Sequence, residues 1–295
     1  MRGMFVTGAL TEGEPIGDGG RLLLRGAAGR TFEELTGQVL NPSLPGYVAD
    51  MSAPYGIAVR EDLIEQGAGH SYGEMCVPLL TELVSEARPA DLLVLATAIP
   101  DVRLGRATAT YLSWHCAGAP LGFAVCDQGL LSAFTALHLI DGYARTGGCR
   151  RPVLLVAEQP TLFHELPAPA PVPDRAAAVG VVLETDDRQG ALSVRRHTKV
   201  AERDVSDLLA AEVAGSRGGG PEPAVLLGAH LAEVAADGSV DGDVRVCREN
   251  QPFTGIWLEL SRGLSGWRES GRRVVLAEYE PMLGHLFTAT VRCGA

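Results

Sequence analysis

Lysine is almost missing from this 295-residue chain: Lys199 is the single one, and every other basic side chain is arginine. With a formal charge of −11, no broad basic face is available, which argues against a nucleic-acid or anionic-membrane partner. Aromatic residues are also scarce, at 5%, whereas Ala, Leu, Val and Gly abound, the composition of closely packed helices and strands. The six cysteines (76, 116, 126, 149, 247 and 293) form no C-x-x-C pair and no metal-ligand spacing. They read as reduced thiols in a chain too large to need disulfide staples, and no metal site is expected. No apolar run approaches a membrane span, and MRGMFVTGALTEGEP has too short an apolar stretch for a signal peptide, so a cytoplasmic protein is expected. A 46% hydrophobic content is enough for a large core.

The stretch Leu121 to Ala136, LGFAVCDQGLLSAFTA, organises the rest. Gly122 to Val125 reads as a buried strand. Leu130, Leu131, Phe134, Leu137 and His138 recur at helical spacing, so Asp127 falls where a strand turns sharply into a helix. The start of a helix offers unpaired backbone N–H groups and the positive end of a dipole, a setting that suits an anion or an activated nucleophile. The plain structural alternative is that Asp127 caps the helix and Cys126 is a small buried hydrophobe.

Elsewhere, Met4 to Leu10 and Arg21 to Arg25 read as short strands, and Thr31 as the cap of a short helix. Pro42, Pro45 and Pro54 predict an irregular 40–60 region. A helix is expected from His70-Ser71 to Ala87, a buried strand over Asp91 to Thr97, a helix over Leu104 to Cys116, and a further strand over Val153 to Ala157. Leu166 to Asp174 is a Pro-rich loop. Ala176 to Glu184 and Ala191 to Val200 are compatible with an antiparallel pair. The alternation continues with a helix over Asp204 to Ala214, a strand over Ala224 to Gly228, a helix over Phe253 to Trp267, and strands over Arg273 to Glu278 and Leu286 to Val291. The pattern predicts an α/β layered fold in two halves, 1–185 and 186–295.

Three segments together resemble the thiolase superfamily, and within it the β-ketoacyl-acyl-carrier-protein synthase III-like enzymes: Asp91-LLVLATAIPD-Val102, the elbow GFAVCDQGLLSAFTAL, and Val153-LLVAEQ followed by Asp174-RAAAVGVVLE. Gly56-Ile57 and Arg60 echo an early Gly-Ile-x-x-Arg. The resemblance implies a five-layered αβαβα fold and a dimer. It also implies a nucleophilic Cys with a His and an Asn at the buried end of a tunnel. Gapless alignment on Gly129 puts Asp127 at the nucleophile position and Cys126 one residue before it. His230, closing AVLLGAH, matches the family's His, and Asn250 its Asn. The family's Arg after the His has no counterpart, the C-terminal glycine-rich loop is replaced by Glu280 to His285, and the stretch between His230 and Asn250 is short.

A carboxylate cannot carry an acyl group as a thiol does, because an acyl-aspartate is a mixed anhydride. The resemblance thus implies an acyltransferase taking an acyl thioester, on coenzyme A or an acyl carrier protein, to a small acceptor in specialised biosynthesis, with no bound cofactor. Either Asp127 orients or deprotonates the acceptor beside His230 and Asn250, or Cys126 is the nucleophile with His230 as partner. The rival expectation is an inactive subunit paired with a related synthase, so that the dimer is a heterodimer. Of the remaining groups, His138 reads as a core residue and His115 as a helix-end residue. The clusters Arg150-Arg151 and Arg195-Arg196-His197 with Lys199 read as solvated faces.

Overall fold

The structure is a computed structural model that describes residues 22–33, 42–67, 69–165, 172–186, 192–217, 220–236, 238, 240–247 and 250–293. The expected strand over Met4 to Leu10 and most of the Pro-rich loop lie outside these.

Two five-stranded sheets form the frame. The first contains β1 (Leu22–Phe32), β2 (Leu92–Thr97), β3 (Leu121–Val125), β4 (Pro152–Glu158) and β5 (Ala176–Thr185), in the order β1-β5-β4-β2-β3. The second contains β6 (Ser193–His197), β7 (Ala224–Leu227), β8 (Asp243–Val246), β9 (Arg273–Glu280) and β10 (His285–Arg292), in the order β6-β10-β9-β7-β8. The two orders correspond strand for strand. In each sheet the first two pairings are antiparallel and the last two parallel.

Eight helices are described: α1 (Leu44–Ser52), α2 (Glu61–Glu65), α3 (Tyr72–Leu83), α4 (Thr108–Trp114), α5 (Ser132–Arg145), α6 (Val205–Ser216), α7 (Ala232–Ala236) and α8 (Gly255–Glu269). Every residue of β2 and of β4 is buried, because each strand is covered on both faces, so these strands read as unbroken apolar runs instead of alternating ones. On one side Leu93, Leu95, Val153 and Leu155 pack under α3 and α4. On the other, Val94, Leu154 and Val156 meet α5 and α8, which also pack on Val274, Leu276 and Phe287 of the second sheet. The second sheet's outer face, with Val225, Val275 and Leu286, packs on Val205, Leu209 and Val213 of α6. The result is the five-layered αβαβα arrangement. At its centre Phe134 of α5 lies 5.6 Å from Trp257 of α8 and 6.0 Å from Phe287 of β10, ring centre to ring centre, a tilted aromatic cluster joining three layers.

Several local expectations change. Thr31 lies inside β1 and caps nothing. The 40–60 region contains α1, because Pro45 stands in its first turn, where a missing N–H costs no hydrogen bond. The helix expected from Leu104 begins only at Thr108. β5 and β6 do not pair: β5 joins β1 and β4, while β6 crosses to the other sheet beside β10. β8, DVRV, carries no strand signal of its own, since two of its four residues are charged. β3 is an edge strand with Leu121 58% exposed, so it is only partly buried.

Candidate active site

The parallel strands of both sheets end on the same side, and the elbow leaves that side from β3. Val125 is buried and the next four residues are exposed. Asp127 adopts φ 61°, a left-handed conformation that Asp tolerates better than most residues but that still costs about 1 kcal/mol. A 3-10 turn over Gly129–Leu131 follows, and α5 starts only at Ser132, so Asp127 is not its cap. The turn is held by Leu131 N–H donating to Gln128 O at 3.1 Å and Ser132 Oγ donating to Gly129 O at 3.1 Å. Glu280, at the end of β9, sets its carboxylate against the turn: a Cβ at Gly129 would lie 2.7 Å from Glu280 Oε2.

Cys126 is the one exposed cysteine of the six. Its thiol donates to Asp127 Oδ2 at 3.2 Å. Partial burial, then this hydrogen bond and the Asp127 charge, push the thiol above its ordinary range. The pair is therefore a thiol on a carboxylate, not a thiolate.

Cys126 and Asp127 line a cavity of about 490 Å³ together with Thr97, Asp101, Arg106 and Thr108. Asp101 accepts from Tyr72 N–H at 3.2 Å, Arg103 N–H at 3.3 Å and Thr108 Oγ1 at 2.9 Å, which fixes its carboxylate in the cavity wall. Arg106 donates to Ser71 Oγ and its guanidinium stands over the Tyr111 ring, 4.4 Å from its centre. Asp101 belonged to a motif already noted, but its place beside the elbow, and that of Arg106, had no signal in the sequence: both reach it from a loop that follows another strand.

His230 is exposed, in a 3-10 turn over Ala229–Leu231 after β7. Its Nδ1 lies 3.1 Å from Tyr279 O. A carbonyl only accepts, so this contact requires a proton on Nδ1, which in the neutral imidazole leaves the lone pair on Nε2. Tyr279 precedes Glu280, so β9 touches the His230 turn with one residue and the elbow turn with the next. Asn250 stands elsewhere, in a groove lined by Thr31, Arg175, Arg245 and Arg262, with its Oδ1 buried and without a hydrogen-bond partner among the described residues.

The structure thus joins Cys126 to Asp127 and places His230 near the same rim. Among the described residues, no hydrogen bond links Asp127 to His230 or Asn250. The expectation of three side chains at the floor of one enclosed tunnel differs from this arrangement. The stretch between His230 and Asn250 is short, and its one described helix, α7, has five residues, none of them buried.

No group of three or more His, Cys, Asp and Glu suited to a metal occurs among the described residues, and none of their helices is long and apolar enough to cross a membrane. No family model and no curated protein matches the sequence. Solved structures do. 3-Oxoacyl-(acyl carrier protein) synthase III, FabH, from Pseudomonas aeruginosa PAO1 aligns over 93% of this chain and 99% of its own, with TM-score 0.62 and 18% identity. AbyA1, a tetronic acid condensing enzyme, aligns over 92% and 100%, with TM-score 0.60 and 18% identity. A variant of OleA from Xanthomonas campestris aligns over 92% and 97%, with TM-score 0.57 and 10% identity. Two five-stranded sheets of one topology and alignment over nearly the whole of both chains make this chain a bearer of the thiolase-like fold found in the synthase III structures.

Proposed function

We propose that the chain transfers an acyl group from a thioester, on coenzyme A or an acyl carrier protein, to a small acceptor in specialised biosynthesis, with no covalent acyl-enzyme stage. The observation that carries this reading is the strained elbow, where Asp127 at φ 61° presents a carboxylate at the mouth of a 490 Å³ cavity and holds Cys126 as a thiol. FabH and AbyA1, named as an acyl-carrier-protein synthase and a condensing enzyme, share the surrounding fold.

In the step envisaged, the acceptor's O–H, N–H or acidic C–H gives its proton to an Asp127 oxygen while the heteroatom or carbon bonds to the thioester carbonyl. The tetrahedral centre then expels the thiolate, which takes up a proton. The Nε2 lone pair of His230 suits proton transfer at the rim, and Arg106 suits an anionic acceptor group. Cys126, held as a protonated thiol, is a poor nucleophile, which favours transfer without a covalent stage. The open edge of β3, with exposed Leu121, supports a homodimer formed by adding strands across it.

A second reading has a specific observation behind it: Asn250 and Asp127 line different cavities. It makes the chain a non-catalytic subunit beside a related synthase. Incubating the purified protein with acyl thioesters and candidate acceptors separates the two. Turnover that falls about 100-fold or more in Asp127→Asn and clearly in His230→Ala supports transfer. No turnover alone, with activity only on adding a copurifying synthase, supports the subunit. An acyl adduct on Cys126 in intact-protein mass spectrometry would overturn the non-covalent route.

A further inference from the structure

The groove that holds Asn250 lies on the opposite flank of the molecule's catalytic side from the elbow. Its wall includes Thr31 near the end of β1 and Arg175 just before β5, whereas the elbow leaves β3, and β1 and β3 are the two edges of the first sheet. The groove measures about 450 Å³. In a chain with a net charge of −11, Arg175, Arg245 and Arg262 converge on it, against Glu259 as the lone carboxylate among the described lining residues.

Each guanidinium is paired at the rim: Arg175 Nη1 with Glu33 Oε1 at 3.2 Å, Arg245 Nη2 with Asp243 Oδ2 at 3.3 Å, and Arg262 Nη1 with Glu259 Oε1 at 2.6 Å. These contacts engage one terminal nitrogen of a group with five donors, and ion pairs this exposed are worth about 1 kcal/mol or less, so they orient the guanidiniums without saturating them. Arg245 also lies over the Trp267 ring, 5.2 Å from its centre, which steadies its plane. Beside the arginines stands the buried Asn250 Oδ1, an acceptor with no partner among the described residues.

Both features point to one kind of ligand. A carboxylate is satisfied by a single guanidinium fork. Three guanidiniums brought in by three separate elements match the several oxygens of a tetrahedral phosphate, and the orphaned Asn250 oxygen calls for a hydroxyl or amine hydrogen nearby. We propose that this groove binds a small phosphate monoester, with its phosphate on Arg175, Arg245 and Arg262 and a neighbouring hydroxyl donating to Asn250 Oδ1. The site is independent of the transfer reaction, since it is defined by binding alone.

Isothermal titration of the full chain with inorganic phosphate, glycerol 3-phosphate and acetate at matched ionic strength tests it. Saturable binding of glycerol 3-phosphate, tighter than inorganic phosphate and far tighter than acetate, is expected, and it weakens as sodium chloride is raised. Arg175→Ala and Arg262→Ala should each weaken it about tenfold or more. Glu33→Gln, which removes a carboxylate competing for Arg175, should tighten it. Asn250→Ala should lower the affinity for glycerol 3-phosphate and leave that for inorganic phosphate unchanged. Absence of saturable binding, equal binding by the arginine variants, or equal affinity for acetate overturns the proposal, and an Asn250→Ala protein that binds glycerol 3-phosphate normally overturns the role of the amide.

Discussion

The two halves of the molecule place a glutamate at the same point and use it differently. Ala157 of β4 sits opposite Thr97, the last residue of β2, and Ala277 of β9 sits opposite Leu227, the last residue of β7. Glu158 and Glu278 follow these alanines, each 1% exposed. In the first half, Glu158 accepts from Gln251 Nε2 at 2.7 Å, Phe253 N–H at 3.0 Å, Thr254 N–H at 2.9 Å and Thr254 Oγ1 at 2.5 Å. It thereby satisfies the entry to α8, in the other half. Burial raises its pKa and the four donors pull it back. Among the described residues Glu278 accepts only from the N–H of its neighbour Tyr279 at 3.2 Å, and it packs against Gly228, so burial raises it well above the carboxylate range. The corresponding contact to α5's entry is made by Glu280, two residues on, whose Oε2 faces Leu130 N–H at 3.5 Å. One half thus anchors the other's central helix with a fully engaged carboxylate, while in the second half burial makes the equivalent side chain hold its proton more firmly, beside the His230 turn. Equivalent strand positions dictate burial, and the donors that arrive from distant loops dictate charge.

This contrast can be broken experimentally. Glu158→Ala has the largest expected effect, a loss of about 3 kcal/mol or more in denaturant unfolding, because it strands two buried backbone N–H groups and a hydroxyl. Gly228→Ala comes next, at about 1–3 kcal/mol, since its Cβ would overlap the Glu278 carboxyl. Shortening that side chain in the double variant with Glu278→Ala should recover most of the loss, and failure to recover would mean that the backbone, not Glu278, sets the limit.

Glu278→Gln sharpens the comparison through pH. Because the folded pKa of Glu278 is raised, its contribution to stability is fully present below the unfolded value of about 4.3 and is lost as pH climbs toward the folded value. The variant should match the wild type within about 1 kcal/mol at pH 5 and exceed it at pH 8. Parallel stability curves for the two proteins would show that Glu278 is ionised in the fold. The smallest effect is expected at the elbow. Asp127→Gly relieves the left-handed strain and should raise stability by about 0.5–1 kcal/mol while abolishing transfer, measured by thermal unfolding alongside turnover.

Much of the frame is legible in the order of residues. β2, β7 and the middles of β4 and β9 are runs of Leu, Val and Ala that suit strands covered on both faces, and a Gly after Cys126-Asp127-Gln128 does mark a sharp turn. What is not legible depends on partners far along the chain. DVRV looks like a loop until β7 pairs with it, and β6 follows β5 in the sequence yet belongs beside β10. The resemblance leads one to expect Asn250 beside the elbow; it stands among Arg175, Arg245 and Arg262, which come from separate elements and carry no common spacing.

Periodicity, turn chemistry and the volume of apolar side chains were therefore sufficient, within the amino-acid sequence, to determine a layered α/β protein and an elbow at Asp127. These are local properties of consecutive residues. The tertiary structure alone decided that the Cys126 thiol rests on Asp127, that four donors engage Glu158 while burial raises the pKa of Glu278, and that three arginines share a groove. Protonation and ligand affinity follow the field from every neighbouring group in space, and only the folded chain brings those groups together.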